Sequence, residues 1–148
     1  MASKTATQKA TRIENLAQVQ RALRKVCPDA HKGLKAASHD IAQQVVSVAK
    51  GQAGSRRQSA RAAETLRARG GDAPVVALGG AKWPGTFAMG AEFGGGARSA
   101  TRQFPPWRGA GRSAGYFLWP TVRNLHGYIT DAYLDALDDA LAKAERST

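Results

Sequence analysis

Between Leu118 and Leu141 the apolar residues Leu118, Val122, Leu125, Ile129, Tyr133, Leu137 and Leu141 follow one another at intervals of three or four. That spacing predicts an amphipathic helix of several turns, with Asp131, Asp135, Asp138 and Asp139 on the face opposite the stripe. Pro120 suits a first helical turn, so the helix is expected to start near it. Two further helical patterns lie upstream. Ile13, Leu16, Val19, Leu23 and Val26 form one, which Pro28 interrupts, and Leu34, Ala37, Ile41, Val45 and Val48 form the other, which Gly51 follows. With Pro28 in the first turn of the second helix, the two become a kinked pair instead of a hairpin.

The middle of the chain is less regular. Residues 55–69 favour helix by propensity, yet Leu66 is their one large apolar residue, so thin packing is expected there. Pro74–Leu78 and Thr86–Phe93 read as two short antiparallel strands joined by a Gly-rich connection. Residues 94–115, rich in glycine and containing Pro105, Pro106 and Trp107, support neither helix nor continuous strand. The first twelve residues are small and polar and read as a disordered arm. The expected organisation is therefore an arm at 1–12 and one α+β domain over 13–148. In it, N-terminal helices and a C-terminal amphipathic helix flank a small antiparallel sheet, with a long loop at 94–115. A chain of 148 residues can bury a substantial core in one domain.

Charge narrows the function classes. The formal net charge is +11, distributed as +10 over residues 1–70, +4 over 71–127 and −3 over 128–148. Such polarity suggests a polyanionic partner or acidic neighbours. Arg56, Arg57, Arg61 and Arg67 are placed to share one broad helix face turned toward DNA or an acidic protein. No zinc finger, paired aromatic RNA-binding motif or helix-turn-helix pattern supports reading of base sequence. The lone Cys27 excludes an internal disulfide, and no run of apolar residues is long enough for a membrane span or a signal peptide.

Catalytic patterns are missing. His31, His39 and His126 have no metal-ligand spacing and Cys27 no second thiol, so neither a metal nor a cofactor is expected. The stretch Gly109–Gly115 (GAGRSAG) follows Pro-Pro-Trp where a nucleotide-binding loop would follow a buried strand. Ser113 and His126 have no third partner at a supporting spacing. A non-enzymatic role follows. Aromatic residues are concentrated in QFPPW (Gln103–Trp107) and YFLW (Tyr116–Trp119). The second is expected to pack beneath the last helix, the first to anchor another subunit.

GAEFGGG (Gly90–Gly96), QFPPW and YFLWPTVRN (Tyr116–Asn124) ahead of the terminal helix resemble the lambdoid-phage tail-component family related to tail-completion protein Z. Glu92, Phe93 and Gly94 match that family's EFG motif, which lies in a strand. Phe117, Leu118, Trp119 and Pro120 match its aromatic-Leu-x-Pro-Ala segment, with Thr121 in place of Ala. The resemblance spans most of residues 13–143, and residues 90–124 are its specific part. It implies a virion structural protein of a long-tailed bacteriophage, made in the host cytoplasm, joining head and tail as a ring, a hexamer, around the DNA channel. Its partners would be copies of itself, neighbouring neck and tail proteins, and the DNA without sequence preference. Glu92, Phe93, Gly94, Phe104, Pro105, Trp107 and Arg108 are then the expected subunit-interface residues. The alternatives are a tail terminator capping the tail tube and a non-specific DNA-binding protein.

Overall fold

The break between the first two helices is a single residue wide. Cys27 takes φ −142° and ψ 85°, the extended backbone that a following proline imposes. Its N–H donates to the Leu23 carbonyl at 2.8 Å, and its own carbonyl accepts from the His31 N–H at 3.2 Å, so one residue closes one helix and opens the next. Pro28 occupies the first helical position, where its missing N–H costs nothing.

The computed structural model describes residues 15–54, 56–80, 85–95 and 103–148, apart from the side chains of 85 and 86. The expected arm at 1–12, together with Ile13, lies outside them. The order is α1 (Leu16–Val26), α2 (Pro28–Gln52), α3 (Arg57–Glu64), β1 (Arg67–Arg69), β2 (Val75–Ala77), α4 (Gly85–Phe93), a 3-10 turn (Gly111–Ser113) and α5 (Leu118–Arg146). The fold is α+β, with 70% of the described residues helical and a two-stranded antiparallel sheet in register Arg67↔Ala77, Ala68↔Val76 and Arg69↔Val75.

Helices α2 and α5 have 25 and 29 residues, about 37 and 43 Å at 1.5 Å per residue, and they run antiparallel. Two apolar clusters lie along them. At one end Leu23 and Cys27 meet Ala30, Leu34 and Ile41 of α2 and Tyr133, Leu137 and Ala140 of α5. At the other, Val46 and Ala49 meet Ala62, Ala63, Leu66, Ala91 and Phe117. The second cluster is built largely from alanines, which is why the short elements can approach α2 so closely.

Two expectations need correcting. Thr86–Phe93 belongs to helix α4, not to a strand. The alternation of large residues is misleading there, because Phe87 and Met89 are exposed while the small Ala88 and Ala91, with Glu92, are buried at helical spacing. The helix predicted over 55–69 stops at Glu64, and Arg67–Arg69 becomes β1, pairing with the strand expected at 74–78. The α5 helix begins at Leu118, and of YFLW, expected to pack beneath it, Phe117 is fully buried under the helix start with Tyr116 and Leu118 partly buried against the same cluster, while Trp119 is exposed.

Asp72, in the bend between β1 and β2, fastens the sheet to the helices. Its carboxylate takes His31 Nε2 at 3.0 Å and Arg24 Nη2 at 3.2 Å. Its carbonyl accepts from Gln20 Nε2 and from the Tyr133 hydroxyl, the latter at 2.7 Å. Burial, aided by the negative charge of Asp72 and opposed by the Gln20 hydrogen bond, raises the Tyr133 phenol above its ordinary value. A raised value means the folded state holds this proton longer than the unfolded chain. Stability is therefore expected to fall as pH rises above about 10, the unfolded phenol's value. Chemical denaturation across that range should show a shallower fall for Tyr133→Phe than for the wild type.

Candidate functional site

The site grows from the end of α4. Gly94 terminates that helix with φ +89°, its N–H donating to the Gly90 carbonyl at 2.8 Å, the left-handed closure that glycine favours. A side chain at Gly94 would collide with the Pro106 carbonyl. The chain then pairs with the returning segment. Gly95 N–H donates to the Pro105 carbonyl at 2.9 Å, Arg108 N–H to that of Phe93, Gly115 N–H to that of Arg108 at 2.7 Å, and Tyr116 N–H to that of Glu92 at 2.9 Å.

This ladder aims the Glu92 side chain at the start of α5. Oε2 accepts from the N–H groups of Phe117 at 3.2 Å and Leu118 at 2.9 Å, and Oε1 from Trp119 at 2.7 Å. These are among the unpaired donors that every helix N-terminus leaves, where a carboxylate is also favoured by the helix dipole. Gly115, at φ +85°, gives the carboxylate its room, since a Cβ there would overlap Oε1. Glu92 is 1% exposed. It therefore acts inside the subunit, a correction to its expected place on an interface.

The other expected interface residues divide. Gly94 is buried, and Phe93, Phe104 and Pro105 are half-buried. The Phe104 ring lies on Gly90 and 6.5 Å from Phe87. Trp107 and Arg108 are exposed, Trp107 at 54%. Phe93 is close to two tryptophans, its ring centroid 6.5 Å from Trp107 and 6.5 Å from Trp119, itself 46% exposed. With Phe87 and Met89, these side chains put an apolar and aromatic surface around α4. Beside Trp119 lies an open groove of about 500 Å³ lined by Gly111, Ala114, Val122, Arg123 and His126.

The four arginines do not share one helix. Arg57 and Arg61 are exposed one turn apart on α3. Arg56 precedes it, with its guanidinium 4.7 Å from the Tyr116 ring centre, and Arg108 approaches the same ring at 5.2 Å. Arg67 lies in β1, bonded to the carbonyls of Gly79 and Thr65. Neither the Glu92 cap nor the Arg56–Tyr116–Arg108 group is among the sequence expectations. For the first a signal exists, a lone acid directly before a helix-ending Phe-Gly; for the second, residues about sixty positions apart leave none.

Truncating Glu92→Ala strands three N–H groups, that of Phe117 buried and those of Leu118 and Trp119 partly buried. A hydrogen bond to a charged group contributes about 1.5–3 kcal/mol, so denaturant unfolding should show a loss of at least about 2 kcal/mol. Gly115→Ala, strained at its backbone and clashing with the same carboxylate, should lose a similar amount. No helix among the described residues is long and apolar enough to cross a membrane. Set against protein-family models, curated proteins and solved structures, the chain matches none of them.

Proposed function

We propose that this chain is a structural subunit of the neck of a long-tailed bacteriophage, a tail-completion or head–tail connector protein that forms a ring around the DNA channel. One observation carries the reading. The two motifs that resemble the phage family, Glu92-Phe93-Gly94 and Phe117-Leu118-Trp119-Pro120, meet through the Glu92 carboxylate and hold Trp107 and Trp119 outward. Exposed tryptophans braced on a fixed backbone suit an assembly surface, where large aromatic anchors contribute most of the binding energy. A closed ring also covers such surfaces without leaving open ends. The exposed Arg57 and Arg61 support non-specific contact with DNA in the channel, since phosphate contacts require no base reading.

A reconstruction of the intact virion neck tests the reading directly. The expected result is a closed ring of this chain, six copies, with Trp107 against a neighbouring protein. Isolated copies with no mutual contact would contradict it. In the purified protein, Trp107→Ala should leave the melting temperature nearly unchanged and block head–tail joining. A core tryptophan would instead cost about 3–5 kcal/mol of folding stability.

The DNA contact has its own test. Binding to duplex DNA should weaken steeply with salt, and replacing Arg56, Arg57 and Arg61 together should flatten that dependence by about one unit for each phosphate those side chains neutralise. Negligible binding at low salt would reassign the basic surface to protein neighbours.

A further inference from the structure

The groove beside Trp119 continues the core stripe of α5. At about 100° per residue, Trp119, Val122 and His126 fall on the same side of the helix as Tyr133, Leu137 and Ala140. Toward the C-terminus α1 and α2 cover that side; at Trp119 and His126 it is exposed. The groove is bordered by cations. Arg123 lines it, its Nη1 donating to the Ala114 carbonyl at 2.6 Å, and the exposed Arg112 adjoins Gly111.

On the opposite side of α5, Tyr128, Asp131, Asp135 and Asp138 fall within one narrow arc and are all exposed, Tyr128 at 47%. This face complements the groove in chemistry, offering an aromatic ring for the apolar floor and carboxylates for the cationic border. Its centre lies about 16 Å along the same helix and faces away, so a chain cannot fill its own groove. A second copy can.

We propose that the groove formed by Gly111, Ala114, Trp119, Val122, Arg123 and His126 receives the Tyr128–Asp138 face of α5 from a second copy of this chain. Each copy then gives one surface and receives with another. Such a head-to-tail contact generates a ring when its rotation closes. The proposal rests on the ring reading above and names the surfaces that would build it.

Sedimentation velocity of the full chain over a wide concentration range, at low and high salt, provides the test. The wild type is expected to associate as concentration rises and to dissociate as salt screens the charges. Arg112→Glu with Arg123→Glu, and separately Asp131→Lys with Asp135→Lys, should each weaken association about 100-fold or more. An equimolar mixture of the two variants should restore it, because reversed groove meets reversed face. Melting temperatures establish that both variants are folded; if Arg123→Glu lowers its own, Arg112→Glu with Trp119→Ala replaces that arm. A wild type that stays monomeric, variants that associate like the wild type, or a mixture that stays monomeric would each overturn the proposal. Variants that still associate would sink this groove while leaving a ring through other surfaces intact, and the ring itself is decided in the virion.

Discussion

The Glu92 carboxylate, seated on three N–H groups at the start of α5, connects the helix that ends at Phe93 to the one that begins at Leu118. The helix it caps is the longest in the fold and brings Tyr133, Leu137 and Ala140 to the first core cluster. The helix it comes from carries Ala91 into the second cluster and is closed by Gly94. A buried carboxylate is unfavourable unless its oxygens are satisfied. Here that requirement determines the surroundings, since Gly115 must lack a side chain and the 105–108 segment must return beside Phe93 to complete the ladder.

The same requirement shapes the surface. The backbone positions that satisfy Glu92 leave Trp107 and Trp119 each with its ring centroid 6.5 Å from that of Phe93. Neither indole enters the core, because Phe117 already fills the space under the helix start and is fully buried. The aromatic exterior is thus a consequence of how the interior is closed. Far from it, Asp72 performs a comparable task with a different arrangement, joining the bend of the sheet to α1, α2 and α5 through one carboxylate and one carbonyl.

What is legible in the sequence depends on the range of the interactions involved. The long helices are legible because their apolar stripes repeat over several turns, and the Cys27–Pro28 kink because proline acts on its immediate neighbour. The element at 85–93 reads as a strand because its buried residues include alanines, whose hydrophobic signal is weaker than that of the exposed Phe87 and Met89. Arg67–Arg69 reads as helix because three residues that owe their conformation to pairing with Val75–Ala77 carry no pattern of their own. At the candidate site, the exposure of Trp107 is legible from its Gly- and Pro-rich setting. The burial of Glu92 and the approach of Arg56 to Tyr116 depend on contacts between distant segments, which no local spacing encodes.

In the proposed particle, the tryptophan surface around α4 is where this chain meets its neighbours. Hydroxyl-radical footprinting read by mass spectrometry, comparing the free chain with the chain in assembled particles, measures that surface most directly. Trp107 and Trp119 should be readily oxidised in the free chain and strongly protected on assembly. Equal oxidation of both residues in the two states, or protection already complete in the free chain, would contradict this assignment.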